Sequence, residues 1–328
     1  MINRIMAVLL MVVLVSAFTV MPVMAATDVN GSFEVGGAPT VNVTFTPAAM
    51  DPQIAQEANV NVAMSSGTLE DLTSVVFKVF YVENWMYDEP TLESFNLEVA
   101  DTQKCAIITW SPPDGWSLAP SGGGTTWALG SCSRPDLTLA SGDFVFQFTP
   151  GKVAKVSDWW TYDTWQVAAK ATKSLFDGFG CDANGFEMNY YVEMSISATS
   201  VSWGSIEPGM LFSSTPPSAQ ELAGDGIHII ANHIYAVEVQ SSASWGGAST
   251  LAGTTSLANQ FAIKAGTEAN LSTASNPLRD EPYAYVIPGQ PPPLLESGDT
   301  WPDIFLFLQL ASTFDAGSYS GTITFTAD

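Results

Sequence analysis

The residues with the most obvious chemical potential lie between Asp177 and Glu187. The run Asp177-Gly178-Phe179-Gly180-Cys181-Asp182-Ala183-Asn184-Gly185-Phe186-Glu187 holds four hard-oxygen side chains: Asp177, Asp182, Asn184 and Glu187. Carboxylate and amide oxygens around a glycine-rich turn are what Ca2+ prefers, so the segment is read as a loop able to hold that ion. Its spacing is not that of an EF-hand, and a solvated inter-strand loop is the competing reading. Asp88, Glu89, Asp158 and Asp163 are weaker candidates of the same kind. Ca2+ is the one cofactor the sequence suggests.

A second cluster is aromatic: Trp159, Trp160 and Tyr162, with Trp85 and Tyr87 further upstream. Rings of this sort stack on sugar faces when exposed, and close the ends of a β-sandwich when they are not. The neighbouring Trp165 reads as core. His228 and His233 are five residues apart, so on one strand they face opposite sides and make a poor metal pair. No Gly-x-Ser-x-Gly elbow flanks a serine, so a hydrolytic triad has no visible nucleophile. Three cysteines, Cys105, Cys132 and Cys181, allow one bridge and one free thiol. Cys105 with Cys132 is the expected pair. Sequons stand at Asn30, Asn42 and Asn270, as candidate glycosylation sites.

The elements that must carry these groups read as strands separated by turns. Expected strands are Asn42 to Thr46, Ser74 to Glu83, Cys105 to Trp110 and Phe144 to Phe148. Trp165, Val167, Ala169 and Ala171 alternate with Gln166, Ala168 and Lys170, although a helical turn between Ser157 and Phe176 is not excluded by pattern. Asn189 to Ser197 is expected to close the first half. Val201 and Trp203 open the second, followed by Ile227 to Ile230, Tyr235 to Val239, Phe261 to Ile263 and Ile304 to Leu310. Tyr319, Gly321, Ile323 and Phe325 alternate with small polar residues as a final half-exposed strand. The stretch from Asn276 to Pro302, with Pro291-Pro292-Pro293, cannot be a central strand and is read as one long loop.

Two broader features set the context. The first 25 residues run from a single Arg4 through an uncharged stretch, Ile5 to Val20, to small residues at Ala25-Ala26, the pattern of a secretory signal. An uncleaved anchor is the alternative, and it would be the protein's one contact with a membrane. No cysteine follows the apolar run, and the ending Thr324-Phe325-Thr326-Ala327-Asp328 is no sorting motif. Of 328 residues, 33 are Asp or Glu against 10 Lys or Arg, a net charge of -23. Such acidity argues against nucleic acid and anionic membrane surfaces, whose binding needs clustered cations. Charged residues are 13 % of the chain and hydrophobic ones 46 %, with 10 Trp and 18 Phe, a mix that suits β-sandwiches.

Three stretches carry a family resemblance. Val201-Ser202-Trp203-Gly204-Ser205-Ile206-Glu207-Pro208-Gly209 resembles the opening of immunoglobulin-like domains in prokaryotic surface proteins. Ile227-His228-Ile229-Ile230-Ala231-Asn232 is similar to the next strand of such domains, and Asp315 to Phe325 to their last. Val76 to Tyr81 and Trp165 to Thr172 resemble the same module more loosely. The resemblance implies two immunoglobulin-like β-sandwich domains in tandem, residues 26–197 and 198–328, after a signal at 1–25. It also implies a cell-surface setting, in a family that hosts adhesion, filament and envelope roles.

The expectation is therefore an all-β, exported, non-enzymatic structural or adhesive protein. Its partners would be other surface proteins or copies of itself. A secreted carbohydrate- or ligand-binding module and a secreted hydrolase are the alternatives. The segment Ser32 to Thr46 is strand-like and glycine-flanked, so it is also a candidate to add to a neighbour's sheet edge.

Overall fold

Strand alternation over a very aromatic sequence produces an all-β protein. The structure is a computed structural model describing residues 37–328. Residues 48, 84–88, 114, 123–124, 158–162, 198–199, 223–225, 247–248, 252–257 and 282–283 are excepted, as are the side chains of 183–184 and 249–251. In chain order the first half holds β1 (Thr40–Thr44), β2 (Gln56–Ala63), β3 (Ser74–Val82), the short helix α1 (Leu92–Leu97), β4 (Cys105–Ser111), β5 (Gly115–Ala119), β6 (Ala128–Ser133), β7 (Ser141–Thr149), β8 (Thr164–Lys173) and β9 (Phe176–Phe186). The second half holds β10 (Val192–Ile196), β11 (Ala219–Glu221), β12 (Ile227–Ala231), β13 (Tyr235–Ser241), β14 (Ser244–Trp245), β15 (Ser249–Leu251), β16 (Gln260–Gly266), β17 (Ala284–Gln290), β18 (Asp299–Trp301), β19 (Phe305–Leu310) and β20 (Ile323–Ala327).

The first half packs a four-stranded sheet, β1-β2-β7-β6, against a five-stranded one, β5-β4-β3-β8-β9. β7 sends Phe144, Phe146 and Phe148 to one face, as its period of two requires, and all three are buried. Phe77 of β3 meets Phe146 edge to face at 4.7 Å, and Phe45 stacks on Phe148 at 5.7 Å. β3 lies in mid-sheet between β4 and β8 and is buried on both faces, which explains its continuous apolar sequence. Its outer face is covered by α1, whose Phe95 packs on Phe80, Cys105 and Ala168.

That helix is absent from the sequence expectation because six residues carry too little 3.6-residue periodicity. A capping box nonetheless marks its start: Thr91 Oγ1 accepts from the Ser94 N–H, and Ser94 Oγ accepts from the Thr91 N–H. Lys78 reaches from β3 to its other end, donating to the carbonyls of Phe95 and Glu98, both at 2.6 Å. Thr164–Lys173, where a helical turn was the open alternative, is strand β8.

The second half has its own core, around Ile227, Ile229, Tyr235, Val237, Ile263 and Leu306. Its strands form three sheets: β10-β12-β18, β17-β13-β20 and β11-β19-β16-β15-β14. Pairing is antiparallel throughout the named strands except between β15 and β16. Two strand-level expectations are corrected. Asn189 to Ser197 does not close the first half, because its strand β10 pairs with β12 along Val192–Ala231 to Ile196–Ile227. The proline-rich stretch is not one loop but contains β17 and β18. Both lie at sheet edges, where proline's missing donor costs no ladder bond.

Residues 37–328 form one compact unit. The halves are tied at one end of the first core. Gln103 Nε2 donates to the Pro293 carbonyl, and Thr126 N–H to Glu296 Oε2. Lys152 pairs with Glu193 across the same junction. Truncating a fully buried core aromatic tests the packing of the first half. Phe146→Ala is expected to cost about 3–5 kcal/mol, read as a lowered urea midpoint with an unchanged slope.

Candidate functional site

A cavity of about 1140 Å³ with an apolar floor lies in the second half. Its floor is built by Trp203, Trp245, Phe261, Leu306 and Leu308, each under one-tenth exposed. Two segments rim it. One, residues 200–208, follows β10; the other, 314–325, leads into and includes part of β20. Both were expected as strands from the alternation of Val201 with Trp203 and of Tyr319, Gly321, Ile323 and Phe325. The structure gives neither segment a ladder until Ile323, where β20 begins.

The rim is shaped by two edge strands. β10 and β20 are the outer strands of their sheets and come near each other without pairing. Val192 pairs with Ala231 and Ala327 with Val237, on either side of the turn Asn232–Ile234. At their opposite ends Ile196 and Ile323 open onto the cavity. Val192, Met194, Ile196, Ile323 and Phe325 are half-buried, so the apolar face of each edge is only partly covered. Gly321 sits against the Trp245 ring so closely that a Cβ there would collide with it.

The acidic, glycine-rich run expected from sequence as a loop lies elsewhere. The supposed Ca2+ loop is strand β9. Asp177 pairs with Thr172 and Asp182 with Val167 in an unbroken register. The two carboxylates are thus about 16 Å apart along the strand and on opposite faces. Asp177 accepts from Thr172 Oγ1 at 2.7 Å and lies 3.8 Å from Lys170 Nζ, while Glu187 is exposed beyond the strand end. The side chain of Asn184 lies outside the described residues. Glycines that suggested turns serve another purpose: Gly178 and Gly180 lie directly under the carbonyls of Pro39 and Val41, where any side chain would clash. Trp159, Trp160, Tyr162, Trp85, Tyr87 and Asn30 lie outside the described residues. Asn42 is exposed on β1; Asn270 is exposed and caps a 3-10 turn, accepting from Ser272 N–H and Oγ.

The expected Cys105–Cys132 bridge is not formed, and all three thiols are free. Cys105 points to the outer face of its sheet, beneath α1, whereas Cys132 belongs to the opposing sheet and packs on the main core. Burial, with the nearby Glu98 charge, pushes the Cys105 thiol up to about 12. Burial also raises Cys132 and Cys181. His228 Nε2 donates to the Ser297 carbonyl, while His233 stacks on Tyr190 at 4.7 Å. No group of three or more His, Cys, Asp or Glu converges among the described residues.

One buried acid stands at the junction of the halves. Glu296 is 5 % exposed and accepts from the Thr126 N–H and, at 3.4 Å, from Thr125 Oγ1. Burial raises its pKa despite these bonds. What could have flagged the cavity is that its two rims have strand-like sequences without obvious strand partners. Pairing is a long-range property, so sequence alone could not reveal its absence.

No family model matches the chain, and no curated protein matches it either.

Two outcomes follow from the buried groups. A neutral-pH alkylating reagent should modify Cys132 and Cys181 before Cys105, with Cys105 reacting only on denaturation; mass spectrometry reads the order. Because Glu296 holds its proton more tightly folded than unfolded, it favours the fold below pH 4.5, and that contribution is lost as pH rises through its raised folded value. Glu296→Gln should flatten this fall in a series of urea melts.

Proposed function

We propose that the chain is an exported, non-enzymatic structural or adhesive protein of the cell surface, built from two immunoglobulin-like β-sandwich domains. The observation that carries the proposal is the character of its main concavity. That surface has an apolar floor of Trp203, Trp245, Phe261, Leu306 and Leu308, and its rims 200–208 and 314–322 run outside any strand ladder. Such a surface is suited to holding another polypeptide rather than to transforming a substrate.

The all-β scaffold supports the same reading. Nearly every buried group in the first half serves packing, and the ionisable side chains at the junction of the halves are engaged in tying them together. The acidic composition suits an exposed protein that stays soluble outside the cell. Signal-like residues 1–25 are consistent with export.

Fractionation of the source cells tests the proposal. The protein should be found in the envelope or in an extracellular assembly, with its first residue near Ala26. The purified protein should show no turnover in a broad screen of glycosidase, esterase and peptidase substrates. Cytoplasmic location or any hydrolytic turnover abolished by a point substitution would overturn it.

A further inference from the structure

We propose that Asn270 is an N-glycosylation site, whose side-chain amide takes a sugar from a lipid-phosphate carrier during export. The inference goes beyond the proposed structural role and rests on the export that role requires.

The structure separates sequons that the sequence leaves equal. Asn42 lies within β1, its backbone held in the ladder opposite Asn61. A transferase acting on the folded chain would have to pull that strand from its partner. Asn270 stands instead on the connection between β16 and β17, outside any ladder. Glu268, Ala269, Asn270, Ser272 and Thr273 are all exposed. A surface loop is the context in which an Asn-x-Ser triplet can be reached.

The loop is also fixed in shape. Its base is closed by Ser275, whose N–H donates to the Ala265 carbonyl and whose Oγ accepts from the Ala265 N–H at 3.0 Å. Leu271 N–H donates to Ser214 Oγ at 2.9 Å. These bonds hold the tip in one conformation, with the Asn270 side chain presented to solvent.

The arrangement around the carboxamide suits the chemistry. An amide nitrogen is a poor nucleophile because its lone pair is delocalised into the carbonyl. Ser272 offsets this, donating to Asn270 Oδ1 from its N–H at 3.0 Å and from its Oγ at 2.8 Å. As Nδ2 gives up a proton, negative charge moves onto Oδ1, where both donors already point. Nδ2 makes no hydrogen bond among the described residues, so it can meet the incoming sugar. In the transfer Nδ2 bonds the anomeric carbon and the carbon–oxygen bond to the carrier phosphate breaks. The lipid phosphate leaves with the bonding pair, and the proton from Nδ2 passes to solvent.

Tryptic cleavage after Lys264 and Arg279 isolates the site on peptide 265–279. In protein recovered from the source cells, mass spectrometry should find this peptide heavier by one or more sugar residues, with the fragments placing them on Asn270. Ser272→Thr should keep the shift, whereas Ser272→Ala and Asn270→Gln should each abolish it. A shift that survives Asn270→Gln would put the sugar on a hydroxyl and overturn the assignment, as would a sugar on Asn42 in place of Asn270. An unshifted peptide from protein found outside the cytoplasm would overturn the inference while leaving the structural role standing. Protein confined to the cytoplasm would overturn both.

Discussion

A β-sheet ends in two rows of unpaired N–H and C=O groups, and what happens at those edges shapes this protein. In the first half the edges meet. β1 lies against β9 and β5 approaches β6, so the two sheets come close to closing on each other. Gly178 and Gly180 make the first of these contacts by letting β1 backbone settle on β9 without a side chain between. The aromatic core of Phe45, Phe77, Phe146 and Phe148 is sealed as a result.

The second half meets the same constraint differently. β10 and β20 approach only beside the turn Asn232–Ile234, and their far ends leave an apolar floor open. The contrast lies in topology rather than hydrophobicity, since both halves bury comparable kinds of side chain. An unclosed edge is a liability unless something occupies it, which makes the cavity the natural place to look for a partner.

Junction chemistry holds the two halves in a defined relation. The proline-rich stretch contributes more than spacing, since Pro293 accepts from Gln103 and Glu296 is buried among Thr125, Thr126 and Gly151 of the first half. Burial raises the pKa of Glu296, which makes the junction sensitive to pH. Cys105, Cys132 and Cys181 similarly act as small packing groups with raised thiol pKa values, not as bridges.

Local pattern by itself determined the all-β class, the buried central strand at Ser74–Val82 and the phenylalanine face of β7, because period-two alternation is written residue by residue. It also marked the rims of the groove as strand-like. Only the tertiary structure decided which strands pair. That placed β10 with the second core, turned the acidic glycine-rich run into β9 and put Cys105 and Cys132 on different sheets. The physical reason is that register and edge closure depend on partners distant in sequence. Glycine's two uses, turn and close approach, look identical until the neighbouring backbone is in place.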